Sequence, residues 1–214
     1  MTDHPQTQEQ WELDRIRLIT AGQPELFYSL IQPYERAVFS TAFAMLGNPA
    51  DAEDVAQEAF LKAFKHLSTF RAQSRFSTWL IQIALNEARL TLRRRRAHQL
   101  ESLDAPVPTE SGEIIARDFA DWRDIPSEAL DRKQLRHALT RAVASLDDLY
   151  REVLILRDLH HLSTRETAGL LGISTDVVKK RLSRARLQLR ERLAPGYDGS
   201  WTSGDGAWTR VRLW

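Results

Sequence analysis

One run near the C-terminal end constrains this chain most: Ser163-Thr-Arg-Glu166, followed by Gly172 and Ser174. A serine hydroxyl with a glutamate at this spacing can satisfy free amide donors at a helix start, the capping-box pattern. The run predicts a helix from Thr164 through Ala168 and Leu171 to Gly172, a residue that tolerates the positive φ of a sharp helix-ending turn. Ser174 then caps a second helix. Two helices joined by so short a turn form a helix-turn-helix. On the second helix Val178, Leu182, Ala185 and Leu189 fall on one stripe, which should pack on the preceding helix and on Val153, Leu154 and Leu156. The opposite arc displays Lys179, Lys180, Ser183 and Arg184, with Arg186 and Arg190 alongside. A basic amphipathic helix alone is commonly a solvated face. With caps and turn in this order it suits the DNA major groove, where such donors meet phosphates and guanine edges.

The rest of the chain predicts an all-α fold of two helical domains joined by a flexible acidic linker. Residues 1–22 are read as an N-terminal tail. From Gln23 to Ala97 apolar residues recur at helical spacing without the alternation that strands need. Residues 98–126 carry Pro106, Pro108, Gly112 and a run of acids from Glu101 to Asp124, and read as the linker. Helical periodicity resumes over 127–193 (Leu130, Leu135, Leu139, Val143, Leu146) and stops at Ala194-Pro195-Gly196. Residues 194–214, rich in Gly and Ser but holding Trp201, Trp208 and Trp214, read as a mobile tail whose rings either stay free or pack on the domains or a partner.

Charge matters here by position. The formal net charge is only +1, yet Arg and Lys gather after Trp79 and after Lys179, which makes local basic surfaces. With no cysteine, disulfides, thiolate zinc sites and cysteine nucleophiles are excluded. The start, MTDHPQTQEQWELD, lacks the basic flank and apolar core of a signal peptide, and no apolar run approaches the ~18 residues of a membrane span. The expectation is a cytoplasmic protein with no direct membrane insertion. The six histidines show no metal-ligand spacing, and no Gly-rich phosphate loop or nucleophile motif occurs, so neither metal nor cofactor, small-molecule substrate nor enzymatic activity is expected.

In the N-terminal domain, Ala52, Val55, Ala56, Ala59, Phe60, Ala63, Phe64 and Leu67 share one helical stripe that should face the core. Leu61 falls opposite, among Asp54, Gln57, Glu58 and Lys65, either a lone surface leucine or part of a protein-docking face. The helix from about Ser77 to Arg96 is apolar over most of its circumference, with one polar strip of Gln82, Asn86, Arg89 and Arg93 and with Trp79 at its edge. Arg93 to Arg96 form a basic collar, partly explained by the preference for cations at a helix C-terminus. Amides, guanidinium groups and nearby rings are the chemistry of single-strand or groove recognition. Phe70, Phe76 and Trp79 flank the polar loop Arg71 to Arg75 and suit either base stacking or the core.

Three segments in this order, DAEDVAQEAFLKAF (51–64), FSTWLIQIALNEARLTLRRRR (76–96) and REVLILRDLHHLSTRETAGLLGISTDVVKKRLSRARLQLRERL (151–193), together resemble the extracytoplasmic-function sigma factors, the small two-domain specificity subunits of bacterial RNA polymerase. The resemblance spans roughly Glu25 to Leu193. It implies that residues 51–64, with Asp54, Gln57, Glu58 and Leu61, dock on core RNA polymerase. It implies that the Trp79 helix and the loop before it open and read the −10 promoter element, with Asn86 touching a base and Phe70 helping to pocket a flipped-out one. Lys179, Lys180, Ser183 and Arg184 match positions that read the −35 element. The family is commonly held inactive by an anti-sigma factor. Family members often have Leu-Pro where this chain has Leu146-Asp147, and Asp is also able to cap a helix start.

A flexible linker would let the two domains span promoter elements ~70 Å apart, since about thirty extended residues at ~3.3 Å reach ~100 Å. The rival reading is a stand-alone helix-turn-helix regulator that binds a palindrome as a dimer, but no long heptad run offers a dimer seam.

Overall fold

The structure, a computed structural model, describes residues 5–101 and 138–193. The chain divides into two compact units, Met1–Ile114 and Ile115–Trp214. Among the described residues all regular structure is helical.

In the first unit, α1 (Pro5–Thr20) is followed by a 3-10 turn, α2 (Phe27–Ile31), a second 3-10 turn (Gln32–Tyr34), α3 (Glu35–Leu46), α4 (Pro49–Lys65) and α5 (Phe76–Glu101). Helices α3, α4 and α5 pack against one another pairwise. Helix α4 brings alanines to this core, Ala52, Ala56, Ala59 and Ala63, whose small side chains let backbones approach closely. Val38, Ala42 and Met45 of α3, together with Leu80, Ala84 and Ala88 of α5, complete it. Start and stop signals are local. Gly47 ends α3 at φ 71°, and Asn48 then accepts from the amides of Ala50 and Asp51 to begin α4, with Pro49 at the first helical position.

Ion pairs at both ends hold α4 and α5 as an antiparallel hairpin. Lys62 Nζ lies 2.6 Å from Glu87 Oε2, and Arg95 pairs with Asp51 near the start of α4.

In this unit three expectations need correction. Residues 1–22 are not a tail: most of them form α1, because Ile16 and Ile19 join the buried cluster that also holds Leu30, Val38 and Ala59 while most of the polar side chains face solvent. Phe64 is not a core residue; it is 42% exposed, its ring edge-on to Phe27 at 5.0 Å. Helix α5 runs to Glu101, so residues 98–101 continue the helix rather than starting the linker. The rest of the linker, the beginning of the second domain as read from sequence (127–137) and the Trp-bearing tail lie outside the described residues.

In the second unit, residues 138–144 (α6) lead to α7 (Asp148–Leu154), a wide π-helical turn (Ile155–Leu159), α8 (Thr164–Leu171) and α9 (Thr175–Leu193). Asp147 stands at the N-cap of α7, but its carboxylate makes no capping bond, contrary to expectation. A buried arginine secures this junction. Arg151 donates from Nε to the carbonyl of Val143 at 3.1 Å and from Nη2 to Leu146 at 2.6 Å, and it also reaches Ala144. It caps the carbonyls at and just beyond the end of α6, adding a second donor to Val143 O, which already accepts from Leu146 N at 3.1 Å.

Candidate nucleic-acid interface

The helix-turn-helix forms as its sequence predicts. Ser163 Oγ accepts from Glu166 N at 3.2 Å, and Glu166 Oε2 accepts from Ser163 N at 2.7 Å. Gly172 ends α8 at φ 64°, and Ser174 Oγ accepts from Val177 N at 3.3 Å to open α9. Val178, Leu182, Ala185 and Leu189 are buried, as are Val153, Leu154 and Leu156.

The outer arc of α9 leaves Lys179, Lys180, Ser183, Arg184 and Arg190 exposed, a row of donors on a helix of the width a major groove admits. Lys179 Nζ lies 3.5 Å from Asp176, an exposed pairing that DNA phosphate can replace. Arg186 differs from its neighbours. Its guanidinium is held by Asp158 at the end of the π turn, and the carboxylate's hydrogen bond raises its pKa further. Sequence spacing carries no sign of this pair, whose partners are far apart in the chain.

In the first unit the aromatics divide between core and surface. Phe76 is buried. Its ring touches Phe70 at 5.6 Å and Trp79 at 5.7 Å, and Phe70 and Trp79 meet each other at 5.4 Å. Phe70 and Trp79 are only partly buried, so each packs on the core while keeping part of its ring at the surface. The loop between them, residues 71–75, is exposed and turns through Ala72 at φ 52°, a left-handed conformation that residues with a Cβ rarely adopt.

Along α5 the predicted strip is present. Gln82 is half-buried and Asn86 exposed, Arg89 Nη1 donates to Asn86 Oδ1 at 3.0 Å, and Arg93 is exposed. This bond holds Arg89 beside Asn86 on the exposed side of α5.

On α4, Asp54, Gln57, Glu58 and Leu61 are all exposed, Leu61 at 54%. Phe64, one turn on from Leu61, adds a ring to the same side of the helix. The sequence stripe assigns it to the core, although its i+3 spacing from Leu61 is a usable signal for the surface. Among the described residues there is no cluster of three His, Cys, Asp or Glu able to hold a metal, and no helix long and apolar enough to cross a membrane.

Comparison with known proteins bears on both units. The family model for Sigma-70 region 2 matches residues 30–98, and that for Sigma-70, region 4 matches residues 136–189. The ECF RNA polymerase sigma factor SigW of Bacillus subtilis is 32% identical over 180 residues, covering 84% of this chain and 95% of the relative. The chain belongs to the ECF sigma factors. The RNA polymerase sigma-H factor of Pseudomonas aeruginosa is 31% identical over 193 residues, covering 88% of this chain and 96% of its own length. Among solved structures, the sigma factor RpoE of Bartonella quintana, in complex with the anti-sigma factor NepR, matches with a TM-score of 0.62 at 25% identity, covering 78% of this chain and 96% of that one. CnrH, in complex with the cytosolic domain of CnrY, matches with a TM-score of 0.58 at 27% identity, covering 86% and 97%.

Sigma factors are initiation factors rather than catalysts. This one binds core RNA polymerase and promoter DNA and directs promoter-specific transcription initiation.

Proposed function

We propose that the duties of this sigma factor divide among three surfaces. Asp54, Gln57, Glu58 and Leu61 dock on core polymerase, with residues 23–97 as the docking and −10 domain. Phe70 and Trp79 stack on unpaired −10 bases, while Gln82, Asn86, Arg89 and Arg93 hold the strand. Lys179, Lys180, Ser183 and Arg184 enter the −35 major groove, within a domain of 127–193, and Arg186, expected from the sequence among these DNA-binding donors, instead orients the helix that carries them through its pair with Asp158. Residues between the domains act as a linker spanning the two elements.

The observation that carries this reading is the composite surface at Phe70, Trp79 and Asn86. Rings anchored on the core, with the exposed Asn86 amide about two turns further along the same helix as Trp79 and the Arg89 guanidinium beside it, offer stacking and backbone binding together. The protein works in the cytoplasm, performs no bond chemistry of its own, and is restrained by an anti-sigma factor. The complexes of RpoE with NepR and of CnrH with CnrY support a partner of that kind.

The test is run-off transcription with core polymerase. Leu61→Asp should weaken assembly with core polymerase, Asn86→Ala should weaken binding to single-stranded −10 DNA, and Lys180→Ala should weaken binding to the −35 duplex, each sparing the other two steps. Tight binding to a palindromic duplex without polymerase, with no polymerase-dependent initiation, would instead mark a stand-alone regulator.

A further inference from the structure

Helix α1 is tied to the aromatic cluster by a series of interactions that core packing does not require. Glu12 is buried on α1, and the hydroxyl of Tyr34 donates to its Oε1. Gln8 Nε2 in turn donates to the Tyr34 hydroxyl at 3.2 Å. The Tyr34 ring stands edge-on to Phe76 at 5.7 Å, and Phe76 is the ring that Phe70 and Trp79 share. One turn before Glu12, Glu9 lies 3.7 Å from Arg75, the residue that ends the exposed loop. Burying a carboxylate is costly unless a donor compensates it, so this Glu12 site is sustained by Tyr34. Burial and the Glu12 carboxylate both push the Tyr34 phenol upward, which keeps it protonated and donating.

We propose that Glu12 and Tyr34 are positioning residues for promoter opening: α1 holds Tyr34, Tyr34 holds Phe76, and Phe76 sets the separation and tilt of Phe70 and Trp79. The proposal rests on the reading of Phe70 and Trp79 as the rings that capture unpaired −10 bases. Neither Glu12 nor Tyr34 needs to touch DNA. A nucleobase stacks only on a ring held at the right spacing, and a ring that flanks an exposed loop keeps that spacing only if its support is fixed.

The test uses holoenzyme assembled from the full chain and core polymerase, on a promoter selected by the wild-type holoenzyme from a randomised library. Three affinities are measured: for core polymerase, for the −35 duplex, and for a single-stranded oligonucleotide carrying the non-template −10 sequence. Tyr34→Phe, which keeps the ring and removes the hydroxyl, and Glu12→Ala should each lower oligonucleotide affinity about tenfold. The other two affinities should stay unchanged, and Glu12→Gln, which keeps an acceptor oxygen, should restore most of the binding. Phe70→Ala is the control for the underlying reading. If it abolishes oligonucleotide binding while Tyr34→Phe and Glu12→Ala bind as the wild type does, the positioning role is wrong and the base-capturing loop stands. If Phe70→Ala itself binds normally, both fall. Should Glu12→Ala fail to fold, core affinity disappears as well, and Tyr34→Phe decides the matter.

Discussion

Arg186 on α9 and Asp158 at the end of the π turn form a two-point pair, Nε to Oδ2 at 3.0 Å and Nη2 to Oδ1 at 2.6 Å. The fork geometry fixes the rotation of α9 against the π turn, while the Asp158 side chain is only 14% exposed. Because the arginine end is open to water, the pair is worth little more than a good surface bridge. A double-mutant cycle with Arg186→Ala and Asp158→Ala should give a coupling of about 1 kcal/mol by chemical denaturation. Both single variants should weaken −35 duplex binding alike. A weakening confined to Arg186→Ala would assign this guanidinium to DNA instead.

Two glycines of the helix-turn-helix should respond to alanine with opposite signs. A Cβ at either Gly169 or Gly172 would meet open space, so sterics against neighbours do not decide the outcome. Gly169 lies inside α8, and Gly169→Ala should stabilise by roughly 0.5–1 kcal/mol by reducing the freedom of the unfolded chain. Gly172 sits at φ 64°, and Gly172→Ala should cost about 1–2 kcal/mol. Thermal melting of the two variants checks the pair of signs.

Capping box, Gly turn and buried stripe in the second unit depend on residues within a turn or two of each other, so their spacing is legible directly in the sequence. The same holds for the α4 alanine stripe and the α5 polar strip. Helix α1 is not legible in this way, because most of its residues are polar and, among those whose burial is described, only Ile16 and Ile19 are buried apolar side chains, too weak a periodicity to register. Phe64 reads as core because a stripe wide enough to hold both it and Ala63 extends past the edge of the core. The Arg151 bonds to α6, the Arg186–Asp158 pair and the Glu12–Tyr34 bond join different elements, and only packing brings such partners together.

Leu61→Asp should leave the fold intact, since its side chain is already half in water. If the leucine is buried against polymerase, removing that burial costs about 1.5–3 kcal/mol, so core affinity should fall at least tenfold. Melting temperature should not move. Unchanged affinity would remove Leu61 from the docking face.

Lys180 and Arg184 should differ from Asn86 in their response to salt. Removing one phosphate-neutralising side chain from the α9 face should reduce the slope of log affinity against log salt by about 0.9 on duplex −35 DNA. Asn86→Ala should leave that slope unchanged. Titrations at three or more salt concentrations separate the two classes.

His160 should make the second unit acid-sensitive. Burial, followed by the neighbouring His161, pushes it from 6.5 down to about 4. The unfolded chain therefore takes up this proton near pH 6.5 and the folded chain only near pH 4, so protonation favours unfolding in between. The contribution is fully present above pH 6.5 and is lost as pH falls towards 4. Carboxylates titrate in the lower part of this window too, so the informative quantity is a difference: stability should fall less steeply with acid in His160→Gln than in the wild type. Parallel curves would show that His160 is not the group responsible.

The α4–α5 hairpin, clamped by Lys62–Glu87 towards one end and Asp51–Arg95 towards the other, acts as a caliper. One jaw is the Leu61 side of α4 and the other the Asn86 strip of α5, and neither can slide along the other without breaking a clamp. On the proposed assignment, the place where the duplex first parts is measured from the polymerase surface by protein of fixed gauge. The register of the first transcribed nucleotide is then a dimension of the sigma factor as much as a feature of the DNA.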